Sequence, residues 1–245
     1  MNNALIIASR VLSQLKRDKK FFILTLLAPF IVIYFLKIFM DTLSATVPVD
    51  RFALPITAFV VYFLSFLLCA IVLAQERTQG TLERMFINGV TRTNIMSGYT
   101  LGYSFLALLV TIVALGETIY LFNLHYSWQT ILALFGVIWL LSLVSIMCGI
   151  FVSTFARTEA QIFPFIPLVA LPSIFASGLL ADVAKLPVWA QWVARCLPLY
   201  YANNIILKLI TGTAENWDML QNIGALGLFV IAFLILASFT FKVTE

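Results

Sequence analysis

Few side chains in this 245-residue sequence could carry covalent chemistry, and those few do not assemble. There is one histidine, His125, so a metal centre built on several histidines is excluded within a single chain. Cys69, Cys148 and Cys196 have no ligand-like spacing, and the first two sit in apolar runs where a small buried hydrophobe is expected. No H-E-x-x-H, phosphate loop, dinucleotide fingerprint or G-x-S-x-G occurs. The chain is therefore expected to hold no catalytic residue, no metal and no cofactor of its own. Two ionisable groups, Lys37 and Glu117, lie inside long apolar runs, where such residues mark functional sites by default. Glu117 either pairs with a base or binds cargo, or it reaches the outer headgroup level. Lys37 has the same choice and a stem long enough to snorkel. No series of Asp, Glu or His crosses mid-membrane positions, so a proton-driven mechanism is poorly supported.

The remaining polar concentration is the segment 75–92, with Glu76, Arg77, Glu83, Arg84 and Arg92 interleaved with Leu82, Met85 and Phe86. This pattern suits a short helix with one apolar and one charged face. Thr81 is placed to cap it, and Asn88-Gly89 to stop it. Glu76 and Arg77, like Glu83 and Arg84, are sequence neighbours that point in different directions on a helix. Their charges are thus free for other contacts: either the segment docks a cytoplasmic partner, or it is a structural loop.

These residues are set among elements that only a bilayer accommodates. Hydrophobic residues make up 62% of the chain and charged ones 11%, where a soluble domain has about 25% charged. Apolar runs near the roughly 20 residues needed to cross a bilayer cover about 21–40, 53–74, 95–121, 129–155, 160–180 and 219–241. The fold class expected is all-α, a polytopic membrane protein with six spans in one transmembrane domain over 1–245. The first apolar run is too long for a signal-peptide core and is expected to remain as an anchor. Ahead of it, residues 1–20 carry Leu5, Ile6, Leu12 and Leu15 at helical spacing, with Lys16, Arg17, Lys19 and Lys20 at the end, and read as an interfacial amphipathic helix. Residues 181–213 contain Pro187, Pro198, Trp189, Trp192, Tyr200 and Tyr201 and read as a pair of short outer helices, the alternative being a span over 197–210. Tyr126 and Trp128 suit an interfacial aromatic belt.

Charge gives the expected orientation. Segments assigned to one side hold Arg10, Lys16, Arg17, Lys19, Lys20, Arg77, Arg84, Arg92, Arg157 and Lys242 against Asp18, Glu76, Glu83, Glu159 and Glu245. The other side holds five bases and six acids. By the positive-inside rule the first side, with both termini, is cytoplasmic. Basic residues that gather beside the first apolar run point to membrane and not to nucleic acid.

Two blocks carry a likeness to a known family. Glu76-Arg77-Thr78-Gln79-Gly80-Thr81-Leu82-Glu83, followed by Arg92 and Gly98, resembles the E-R-x-x-G-T-L-E signature of the membrane-spanning permeases of type-2 ABC exporters. Ser177-Gly178, Leu186-Pro187-x-Trp189 and Leu197-Pro198-Leu199-Tyr200-Tyr201 are similar to that family's S-G … L-P-x-W … P-L-x-Y region. Together with the N-terminal helix and the six spans, the likeness covers essentially the whole chain. It departs from the family at Gly89 and Ala181, where many members have proline, and at Lys208, where arginine is common.

The resemblance implies a dimer of permeases, the second subunit identical or related, docked to two copies of a cytoplasmic ABC ATPase that carry the ATP and Mg. It implies that 75–92 is the coupling region, with Glu76, Arg77, Gly80, Thr81, Leu82, Glu83 and Arg84 at its matching positions. It implies that Ser177, Gly178, Pro187, Trp189, Pro198, Tyr200 and Tyr201 shape an outer gate, in a bacterial or archaeal cytoplasmic membrane. Aliphatic and Phe-rich spans favour an apolar or amphipathic cargo (drug, antibiotic, lipid or peptide). Export of a polysaccharide or glycolipid by the same family and an ion-coupled carrier centred on Glu117 stand as alternatives, as does a membrane enzyme, for which no nucleophile can be named.

Overall fold

The computed structural model describes residues 3–43, 49–156, 158–213 and 215–240. The described residues are helical, with no strand among them. Ten α-helices follow in order: α1 (Asn3–Arg17), α2 (Lys19–Leu43), α3 (Val49–Thr78), α4 (Thr81–Ile87), α5 (Arg92–Leu121), α6 (Trp128–Ser153), α7 (Phe165–Ala176), α8 (Val188–Arg195), α9 (Pro198–Thr211) and α10 (Asn216–Thr240). Helices long and apolar enough to cross a membrane are α2, α3, α5, α6, α10, and α7 taken with the 3-10 turn Glu159–Ile162 before it. Those are the six expected spans.

A backbone in hydrocarbon must satisfy its own polar groups, so each apolar run closes into helix, and Pro29 and Pro55 are carried within α2 and α3. The fifth run is where proline prevails. Residues 160–180 were expected to form one helix, but Pro164, which has no N–H to donate, follows the 3-10 turn and α7 proper begins at Phe165. At about 1.5 Å per residue the twelve residues of α7 fall short of a full crossing on their own.

α3 lies at the centre, packed along α6, α5 and α9. Its contacts divide the interior lengthwise. At one end Leu54, Ala58, Val61, Leu134, Ile138, Leu199 and Ile205 form a cluster that takes in α9. At the other, Cys69, Leu73, Leu82, Ile95, Met96, Tyr99 and Ile150 form a second cluster that takes in α1 and α4. Cys69 and Cys148 are buried and free, as expected.

One local expectation is corrected. Thr81 does not cap α4: Gly80 occupies the N-cap position in the left-handed region (φ 66°), and Thr81 is the first helical residue. The chain turns too tightly after α3 for an extended N-cap, and only glycine takes that backbone at no steric cost. Asn88 does end α4, followed by Gly89 at φ 76°. The buried stripe of α1 is Ala4, Ile7, Ala8, Val11 and Leu15, while Leu5 and Ile6 are exposed. Ile7 and Val11 are the side chains that meet Gly98 and Gly102 of α5, so the inward face is the one that fits this helix partner. Arg157, Lys242 and Glu245, used above in the charge reading, lie outside the described residues.

Candidate functional site

The predicted coupling residues gather at the α4 end, and the organiser there is a residue of α1. Arg10 projects from the middle of α1 to the last turns of α3, where its Nη2 donates to both carboxylate oxygens of Glu76 at 2.8 and 2.9 Å. Gln14 Nε2 adds a contact to Glu76 at 3.3 Å, and Arg10 Nη1 reaches Met85 Sδ of α4 at 3.8 Å. One guanidinium therefore touches three elements. Glu76 is buried, its side chain 6% exposed, whereas Arg10 keeps a third of its own surface in solvent. A buried carboxylate persists only when paired and hydrogen-bonded, so the position of α1 and the charge of Glu76 depend on one another.

α1 reaches Glu76 because α5 lets it come close. Gly98 and Gly102 face it one turn apart: a Cβ at Gly98 would meet the Ile7 Cβ at 2.6 Å and the Ala4 carbonyl at 2.8 Å, and one at Gly102 would meet the Val11 Cβ at 2.7 Å. Small residues four apart permit such backbone approach between membrane helices. Tyr99 and Tyr103, between and beside them, stack at 6.3 Å. A cavity of about 510 Å³ opens beside the ion pair, lined by Gln14, Asp18, Phe21, Gln75, Glu76 and Tyr103 among others.

The other predicted coupling residues point elsewhere. Arg77 Nη1 donates to the Thr154 carbonyl at the end of α6 (3.2 Å), so it ties two spans together. Leu82 is buried beneath α4, and Glu83 and Arg84 stand exposed on its outer side. The seven residues thus split into buried Glu76 and Leu82 with half-buried Arg77, a turn (Gly80, Thr81) and an exposed face (Glu83, Arg84).

The predicted gate residues cluster at the opposite end. Buried Asn203 of α9 donates its amide to the Ser177 carbonyl and hydroxyl, both at 3.3 Å, which fixes α9 to the turn after α7. Pro198 is buried as the first residue of α9, and the Tyr201 hydroxyl donates to the Arg195 carbonyl at 2.9 Å, with the phenol pushed up by burial. Gly178 and Tyr200 line a cavity of about 360 Å³ with Arg51, Asp182, Gln191 and Arg195. Pro187 and Trp189 are exposed, as is Trp192, whose ring lies under the Arg195 guanidinium at 5.2 Å. His125 is exposed in the turn before α6.

Lys37 and Glu117 do not pair. Lys37 Nζ is 2.5 Å from Asp41 in its own helix and 5.5 Å from the Phe122 ring. Both carboxylate oxygens of Glu117 are shielded and without a hydrogen-bond partner among the described residues. Arg10, Gln14, Gly102 and Asn203 were missed as site residues. Gly98-x-x-x-Gly102 was the available signal, together with a lone arginine amid the apolar positions of α1.

The family model for ABC-2 type transporters matches residues 2–211. This chain belongs to the ABC-2 type transporter family. Over 136 residues (56% of the chain) it is 29% identical to ABC transporter G family member 20 of Dictyostelium discoideum, 18% of whose length is covered. It is 27% identical over 137 residues to the Probable multidrug ABC transporter permease YbhR of Escherichia coli, covering 56% of this chain and 37% of that one. With the Linearmycin resistance permease protein LnrN of Bacillus subtilis it shares 24% over 152 residues, 62% of this chain and 39% of that one. The matched part is thus well under half of each of these curated relatives. The chain has six helices long and apolar enough to cross a membrane, and its family is one of transporter permeases that normally work with an ABC ATPase.

Proposed function

We propose that this permease is the membrane-spanning subunit of an ATP-driven exporter. Two copies form the translocation unit, and each docks one cytoplasmic ATPase subunit that binds ATP and Mg; the permease binds neither. The α4 end and both termini face the cytoplasm of a bacterium or archaeon, in agreement with the basic residues gathered there. The observation that carries this reading is the Arg10 joint. α4 presents Glu83 and Arg84 outward, while Arg10 links α1, α3 and α4 behind that face. A push delivered to α4 by a closing ATPase pair passes through this joint into α3. α3 packs along α5, α6 and α9 and so reaches the gate residues at the far end.

The cargo is an apolar or amphipathic small molecule, moved outward by alternating access. Aliphatic spans and relatives whose names specify multidrug transport and linearmycin resistance support that class. The test is reconstitution of the permease with its ATPase. Charge reversal at both Glu83 and Arg84 is expected to abolish co-purification of the ATPase and cargo-stimulated ATP hydrolysis. Efflux that persists with the ATPase absent would overturn the proposal.

A further inference from the structure

A second cavity, separate from the one beside Glu76, opens where α1 turns into α2. It measures about 470 Å³, and its lining divides sharply by chemistry. Leu12 and Leu15 of α1, Phe22 and Ile23 of α2, and Phe105 and Leu109 of α5 make an apolar wall; Lys16 and Lys19 are its polar members. Among the described residues no carboxylate lines it. The nearest acid in sequence, Asp18, accepts the Phe21 N–H at 3.0 Å and lines the neighbouring cavity with Arg17 and Glu76. Neither lysine has an ion pair among the described residues, and both are exposed.

From this we infer that the groove binds one anionic phospholipid of the bilayer, with its phosphate between Lys16 and Lys19 and an acyl chain along Phe22, Phe105 and Leu109. Charge complementarity selects the headgroup. Two unneutralised ammonium groups at the mouth of an apolar cleft favour a phosphodiester with net negative charge over a zwitterion, and each lysine near a membrane surface contributes several-fold in affinity. Shape selects the tail. The wall lies on spans whose side chains already face hydrocarbon, with Ile23 and Phe105 exposed. A soluble anion would leave that wall uncovered. Because Leu12 and Leu15 belong to the helix that also carries Arg10, the lipid braces α1 against α2 and α5.

The test uses the full chain, purified in mild detergent and offered equimolar phosphatidylglycerol and phosphatidylcholine, with retained lipid read by native mass spectrometry. Wild type is expected to retain phosphatidylglycerol roughly tenfold over phosphatidylcholine. Lys16→Gln/Lys19→Gln should lose the preference, and Lys16→Arg/Lys19→Arg should keep it. Leu109→Trp, which fills the cleft without touching the charges, should displace the lipid. Equal retention of the two lipids by wild type, or an unchanged preference in the double Gln variant, would overturn the inference. So would full retention in Leu109→Trp, which assigns the binding to surface charge alone. No ATPase takes part, so failure here leaves the exporter reading standing.

Discussion

The two ends of this permease solve the same problem, holding a short helix against a bundle of spans, by opposite means. At the α4 end the holding contact is ionic and internal: Arg10 crosses from α1 to a carboxylate that water hardly reaches. At the α9 end the internal contact is neutral, the Asn203 amide on Ser177, and the ion pair that α9 itself makes, Lys208 with Asp218 at 2.5 Å, stays at the surface with 34% and 40% of the side chains exposed. A buried charge gains its strength from the low dielectric that makes it costly to leave unpaired, and so permits one geometry. A neutral amide and a solvated ion pair tolerate displacement at little cost. Under the function proposed above, in which the α4 end mounts the ATPase and the α9 end forms the exit, the first should keep its shape under load and the second should change it.

The largest effect should come from Arg10→Leu, which leaves Glu76 as an unpaired buried carboxylate. Loss of about 3 to 5 kcal/mol is expected, read as an early, broad thermal transition of the purified protein. Glu76→Gln should cost less, about 1 to 3 kcal/mol, since Arg10 retains solvent on a third of its surface. The double replacement Arg10→Leu/Glu76→Leu should recover part of the loss. Equal losses in the two single variants would show that Glu76 is no more buried than its partner, and the contrast between the ends would fall with it.

Next in size is overpacking at the α1–α5 contact. Gly98→Leu places a side chain where Ile7 and the Ala4 carbonyl already stand, and a cost of about 1 to 3 kcal/mol is expected. Gly116→Leu, on the same helix with nothing within 4 Å of its Cβ position, is the control and should be near neutral. A cysteine pair across α1 and α5 should cross-link in the control and lose cross-linking in Gly98→Leu. Cross-linking unchanged in both would mean that α1 is held by the ion pair alone.

How much of this was legible in the sequence follows from the range of each interaction. The spans were, because an apolar run in lipid has one low-energy backbone, and the α4 segment was, because its charges interrupt that pattern. The Arg10–Glu76 pair was not: the partners are 66 residues apart, and no periodicity links them. Glu76 drew attention as part of a local motif, and a motif says which residues recur but not which one faces inward. The face of α1 that packs on α5 could not be named for a related reason. Ile7 and Val11 are the residues that meet Gly98 and Gly102, and which apolar face of α1 turns toward α5 is fixed only once α5 is in place. The break in the fifth span was readable from Pro164, yet hydropathy alone carried the reading through it.

The α9 end should yield smaller numbers. Asn203→Leu removes two 3.3 Å donations but also a carbonyl oxygen that is buried without a partner among the described residues. The two changes oppose one another, so the net loss should be about 1 kcal/mol or less, with a larger effect on transport than on melting. A loss as large as that of Arg10→Leu would mean that this end, too, is a rigid mount.

The smallest effect is expected at Lys208→Ala. Its pair with Asp218 joins α9 to the start of α10, but both side chains are more than a third exposed and salt screens them. A change of about 0 to 1 kcal/mol is expected, falling further in high salt. The informative readout is the ratio of the two ends. If Lys208→Ala slows cargo release from the reconstituted complex while ATPase co-purification is untouched, then the surface pair governs the exit and the buried pair governs docking. If instead it weakens ATPase binding as Glu83 and Arg84 reversal does, the two ends are one mechanical unit, and a charge at either is felt at both.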